Sequence, residues 1–95
     1  MGNGNLNALE FDDVKALGAP FEKAEVHVSL RKKTVTLVLL VPGRNGNHPA
    51  LDFQLVGDED WRQVGTELTF AASNNGLLRT NCIVSIMNLD SGQIH

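Results

Sequence analysis

The chain holds 95 residues, 42% hydrophobic and 20% charged, a balance that suits one soluble domain with a modest core and excludes a disordered chain. Eleven acidic residues against eight basic ones leave a net charge of −3, and four Phe and one Trp are the only aromatics. That argues against broad phosphate contact and against a base-stacking platform, so a nucleic-acid partner is not expected.

Cys82 is the single cysteine, so no intramolecular disulfide can form, and a reducing compartment fits. The opening MGNGNLNALEF has neither the basic nor the apolar region of a secretory leader. No apolar run approaches the roughly 20 residues needed to cross a bilayer. The expectation is a cytoplasmic protein with no membrane contact.

In chain order, residues 1–7 read as a flexible Gly/Asn-rich tail on a single domain spanning 1–95. A short helix follows, with Asp12 as its cap, Val14 and Leu17 on one face, and Gly18 at its end before Ala19-Pro20. From Glu22 to Arg31 the chain alternates as a strand does: Val26, Val28 and Leu30 point in, Glu25, His27, Ser29 and Arg31 out. Arg31-Lys32-Lys33 then makes an open basic turn into Thr34–Val41. This second strand is apolar on both faces, with Val35, Leu37, Leu39 and Val41 on one and Val38 and Leu40 on the other. Such a strand must be covered twice, by a second layer of its own chain or by a second subunit.

Pro42 to Pro49 is the clearest loop. Leu51, Phe53 and Leu55 mark a third strand ending at Gly57. Asp58 to Val64 reads as one helical turn capped by Asp58 and closed by Gly65. Leu68 and Phe70 mark a fourth strand, Thr66–Ala72, and Ser73-Asn74-Asn75-Gly76 is a hairpin signal. The fifth strand, Arg79–Leu89, is again apolar on both faces, with Ile83 and Met87 against Cys82, Val84 and Ile86; Asp90–His95 is a surface tail. The predicted fold is mainly β: a five-stranded antiparallel sheet curled into a small sandwich or partly open barrel, with one short N-terminal helix. The two doubly apolar strands are then central neighbours, or one lies at a dimer contact.

The loop Gly43–His48 is the strongest ligand candidate. Its glycines free backbone amides, Arg44 can fork onto an oxyanion, Asn45 and Asn47 add polar groups, and His48 can carry a proton. No Lys-Ser or Lys-Thr follows, so it is not a phosphate-loop signature, and a plain connector between Pro42 and Pro49 is the favoured reading. Asp58-Glu59-Asp60, with Asp12-Asp13 and Asp90, lacks calcium-loop spacing and reads as helix capping. His27, His48 and His95 lack metal-ligand spacing, Cys82 has no nearby partner, and no serine sits in a G-x-S-x-G context. No catalytic residue, metal or cofactor is therefore expected. Trp61 is either an exposed interface anchor or a lid on the core.

The segment Gly57-Asp58-Glu59-Asp60-Trp61 to Gly65, then Leu68-Thr69-Phe70 and Cys82-Ile83-Val84-Ser85-Ile86, resembles the middle of Calx-β domains, calcium-binding sandwiches. The family's following acidic pair is here Asp90 alone and its next strand is absent, so the resemblance implies a β-sandwich and carries no calcium site.

Together these features describe a small non-enzymatic β-rich module that binds protein and self-associates, with Val38, Leu40 and Trp61 at the interface. An accessory or inhibitor protein of phage or microbial type fits the size. The alternative is a small-ligand, nucleotide or anion-binding domain using Arg44, Asn45, Asn47 and His48.

Overall fold

The computed structural model describes residues 8–57 and 59–95. In chain order they form α1 (Ala8–Lys15), β1 (Phe21–Ser29), β2 (Thr34–Leu40), β3 (Ala50–Gln54), α2 (Trp61–Asn74) and β4 (Leu78–Asn88). The sheet has four strands in the order β3-β2-β1-β4. β1 pairs antiparallel with β2, and β2 with β3, but β4 runs parallel to β1.

The first three strands lie where alternation places them. The basic turn closes without glycine because Lys33 itself takes a positive φ of 56°, and its amide bonds the Leu30 carbonyl at 3.3 Å. Val26, Val28, Val35, Leu37, Leu39 and Phe53 point to one face and are buried there with Ile86 of β4. Both helices pack on that face. Phe11 of α1 meets Phe53 at a ring separation of 5.8 Å, and α2 lies across β4 and β1.

The expected fourth strand is a helix. Trp61, Val64, Gly65, Leu68 and Ala72 are buried along α2, a stripe of three- and four-residue steps. Leu68 and Phe70, two apart, read as a strand face, yet the helix buries the first and leaves the second 66% exposed. The β-branched residues there are accommodated by back-bonding: Thr66 Oγ1 donates to the Arg62 carbonyl at 2.9 Å and Thr69 Oγ1 to that of Gly65 at 2.8 Å. Asp60 occupies the N-cap, and Asp58 lies outside the described residues, as do residues 1–7.

The expected hairpin at Ser73–Gly76 is the end of that helix. Gly76 has a φ of 76°, its amide bonds the Ser73 carbonyl, and Leu77 N–H reaches the Ala72 carbonyl at 3.0 Å. Asn-Gly supplies a positive φ to a helix C-cap as readily as to a hairpin. With a helix between β3 and β4, the last strand returns parallel to β1. The sheet is thus mixed and open rather than an antiparallel sandwich or barrel, and the two doubly apolar strands flank β1 instead of touching.

α1 also starts earlier than expected. Asp12 sits inside it and pairs with Lys15 at 2.9 Å, while Leu17 lies beyond its end and is 56% exposed.

β4 is an edge strand that is blunted twice. A step of two residues in β1, Phe21 to Lys23, is matched by a step of five in β4, Leu78 to Ile83, so β4 bulges there. At its other end the tail turns back: Ile86 and His95 exchange both backbone hydrogen bonds at 3.2 and 2.8 Å, and Asn88 N–H donates to Gln93 O at 2.8 Å. The surface tail thus covers part of an edge that would otherwise invite unwanted pairing.

Candidate interaction surface

The second face of the sheet is formed by the residues that alternate with the core. Strand register arranges them in rows: Leu40–Lys23–Ile83, then Ala50–Val38–Glu25–Ser85, then Asp52–Thr36–His27–Met87. Among the described residues both helices lie on the opposite face, so this one has no covering layer. Val38, Leu40 and Met87 are half-buried by their neighbours alone, and Ile83 is 64% exposed.

Four of the polar side chains in these rows bond in pairs. His27 Nε2 lies 2.9 Å from Glu25 Oε1, and Thr36 Oγ1 donates to Asp52 Oδ1 at 2.6 Å. Charges engaged in this way leave the valine, leucine and methionine of the same rows as the groups that most favour leaving water.

One margin of this face is fixed by Asp90, which ties the β1–β2 turn to the end of β4. Its carboxylate accepts from Ser29 Oγ at 2.8 Å and Arg31 N–H at 3.0 Å, while Asn88 Oδ1 holds its amide at 2.9 Å. The Arg31 amide, then the Ser29 hydroxyl, hold the Asp90 carboxyl below its ordinary pKa.

The other sequence candidates fall elsewhere. Trp61 is buried at 6% exposure, with the Arg62 guanidinium 5.0 Å over its ring and His95 at its edge, so it is a lid on the core and not an exposed anchor. The Gly43–His48 loop joins β2 to β3 and is bonded within itself and to Val41 at its base. Arg44 donates to the Asn47 carbonyl at 3.0 Å, and His48 Nδ1 accepts from the Val41 amide at 3.2 Å. Its arginine is thereby engaged in loop structure, while Asn45 and Asn47 are exposed.

Cys82 lies half-buried on β4 against the rim of the core, and burial raises its thiol pKa. Among the described residues no three of His, Cys, Asp and Glu gather in a metal-holding group, and no helix is long and apolar enough to cross a membrane.

Sequence reasoning missed the contributions of Ile83 and Met87 to the open face. Their apolar alternation was visible, but only the parallel register of β4 sets them beside Lys23 and His27.

No family model, curated protein or solved structure matches this chain. The geometry of its own surface therefore carries the functional reading.

Proposed function

We propose that this is a small non-enzymatic protein-contact module that associates with a second copy of itself through the open sheet face. The observation that supports the reading is that, among the described residues, nothing covers Val38, Leu40 and Met87, while the helices lie on the other side. A face on which His27 already bonds Glu25 and Thr36 bonds Asp52 suits an isologous contact, in which the same patch serves both copies.

Size sets the strength of that contact. Four strands spaced about 4.8 Å apart and about seven residues long project roughly 450 Å² per copy. The total of about 900 Å² falls below the roughly 1,200–2,000 Å² that stable specific interfaces bury and in the range of weak, transient contacts, so the dimer forms and dissociates with concentration. Accessory or inhibitory action on an unlike protein is the role this architecture suits, with the dimer as its working form.

Light scattering across a concentration series tests the reading. The expected result is a mass rising from monomer to dimer, and a return to monomer in Val38→Asp and Leu40→Asp, since each would bury an unpaired carboxylate. A constant monomer mass at every concentration, or a dimer indifferent to both substitutions, overturns it.

A further inference from the structure

At the bulge of β4 the chain forms a cleft of about 590 Å³, lined by Pro20, Glu22, Lys23, Leu78, Arg79 and Ile83 among others. The bulge creates it. Three extra residues in β4 carry Arg79, Thr80 and Asn81 out of the regular ladder and leave a hollow beside the start of β1. A second hollow of about 430 Å³, walled by Leu40, Val41 and Pro42, shares Glu22 and Lys23 with the first. This end of the sheet is therefore concave on both sides of one lysine.

Its electrostatics run against the rest of the molecule. The chain carries a net charge of −3, yet this cleft holds Lys23 and Arg79 against the single acid Glu22. Among the described residues neither cation has an ion-pair partner: the lysine that is paired is Lys15, with Asp12, and Glu25 is bonded by His27. A third cation, Lys15, stands near though paired with Asp12, since a Cβ built on Gly76 would lie 4.0 Å from its Nζ. Arg44, the arginine the sequence favoured, is by contrast spent on its own loop.

We propose that this cleft binds a small organic monocarboxylate, with Arg79 and Lys23 holding the carboxylate, Thr80 and Asn81 adding hydrogen bonds, and Leu78, Ile83 and Pro20 taking a short apolar body. A planar guanidinium matches a carboxylate with two parallel hydrogen bonds, and the lysine supplies a point charge. Glu22 on the same wall sets the preference for one negative charge, because it repels a dianion. The cleft is open to solvent and its cations are exposed, so binding is in the millimolar range and weakens with salt.

Lys23 and Ile83 also stand at the end of the open face, so the titration is run at a concentration where light scattering reads monomer. Failure of the dimer and failure of this site are then separate results. Hexanoate is the probe, followed through backbone amide shifts, with hexylammonium and inorganic phosphate as comparisons. The expected result is saturable movement of the Lys23, Arg79, Thr80 and Asn81 amides with hexanoate, weaker phosphate binding and no hexylammonium binding. Arg79→Gln weakens hexanoate about tenfold, and Lys23→Gln weakens it too, while Arg44→Gln leaves it unchanged. All three substitutions are on the surface, and unchanged melting curves confirm the fold. Absence of saturation, equal binding of hexylammonium, tighter binding of phosphate, shifts centred on residues 43–48, or native-like binding by both cleft variants overturns the proposal.

Discussion

Gly65 of α2 lies against Ile86 of β4 with no room for a side chain between them. A Cβ at Gly65 would fall 2.8 Å from both Cγ1 and Cδ1 of Ile86, and closer still to its Cγ2. Helix propensity alone favours alanine over glycine by about 1 kcal/mol. Close packing opposes it, and crowding a filled core costs about 1–3 kcal/mol. Gly65→Ala is therefore expected to destabilise the fold in urea melts. Ile86→Ala alone costs about 2–4 kcal/mol for the atoms removed, but the double variant loses less than the two costs combined. Simple additivity of the two would show that this contact does not set the approach of helix and sheet.

The tie made by Asp90 gives stability a pH dependence of known sign. Its pKa in the fold is lowered, first by the Arg31 amide and then by the Ser29 hydroxyl, whereas the unfolded chain has the ordinary value. The contribution is thus complete above the ordinary carboxylate range and is lost as pH falls through the folded value. Asp90→Asn should lower the melting temperature at neutral pH and converge on the native protein in strong acid. A difference that stays constant down the whole range would remove the carboxylate from the account.

Cys82 is expected to be a sluggish thiol. Burial raises its pKa, and thiolate is the reacting form. Iodoacetamide should modify it more slowly in the folded protein than in urea, with a pH–rate profile displaced upward. Equal rates in both states would show that the rim of the core offers it no protection.

The centre of the sheet tests the burial pattern. Leu37 is fully buried on β2, and Leu37→Ala should cost roughly 3 kcal/mol through lost transfer energy and the cavity left behind. Val38→Ala, one residue along and on the open face, should cost well under half of that in the monomer. Chemical denaturation of the two variants side by side makes the comparison, and equal losses would place a hidden layer over the second face.

The sequence made β1, β2 and β3 legible because every second residue of each is apolar and, among the described residues, that side alone has a covering layer. Val35, Leu37 and Leu39 read correctly as core, and Val38 and Leu40 as a second apolar side with unnamed cover. The reading failed at Thr66–Ala72, where Thr66, Leu68 and Phe70 imitate a strand and the helical stripe through Trp61, Val64 and Leu68 is broken by glycine and threonine. That single misreading changed the direction of β4, the sheet order and the expected closure. The bulge at Leu78–Ile83, and with it the Arg79 cleft, had no local signal, since it exists only as a mismatch of count between two strands far apart in the chain.

The parallel pairing of β1 with β4 governs how the protein is assembled. β1 finds β2 across a four-residue turn, yet its other neighbour is the last strand, so Val26 waits for Ile86. Contacts this distant in sequence slow folding, because loop-closure entropy is spent before they form. A chain still being synthesised, with Leu78 not yet available, can complete the hairpins but holds β1 as a bare edge carrying Val26 and Val28. During that interval the protein is open to strand exchange with its neighbours, and arrival of the last strand is the step that makes each molecule separate.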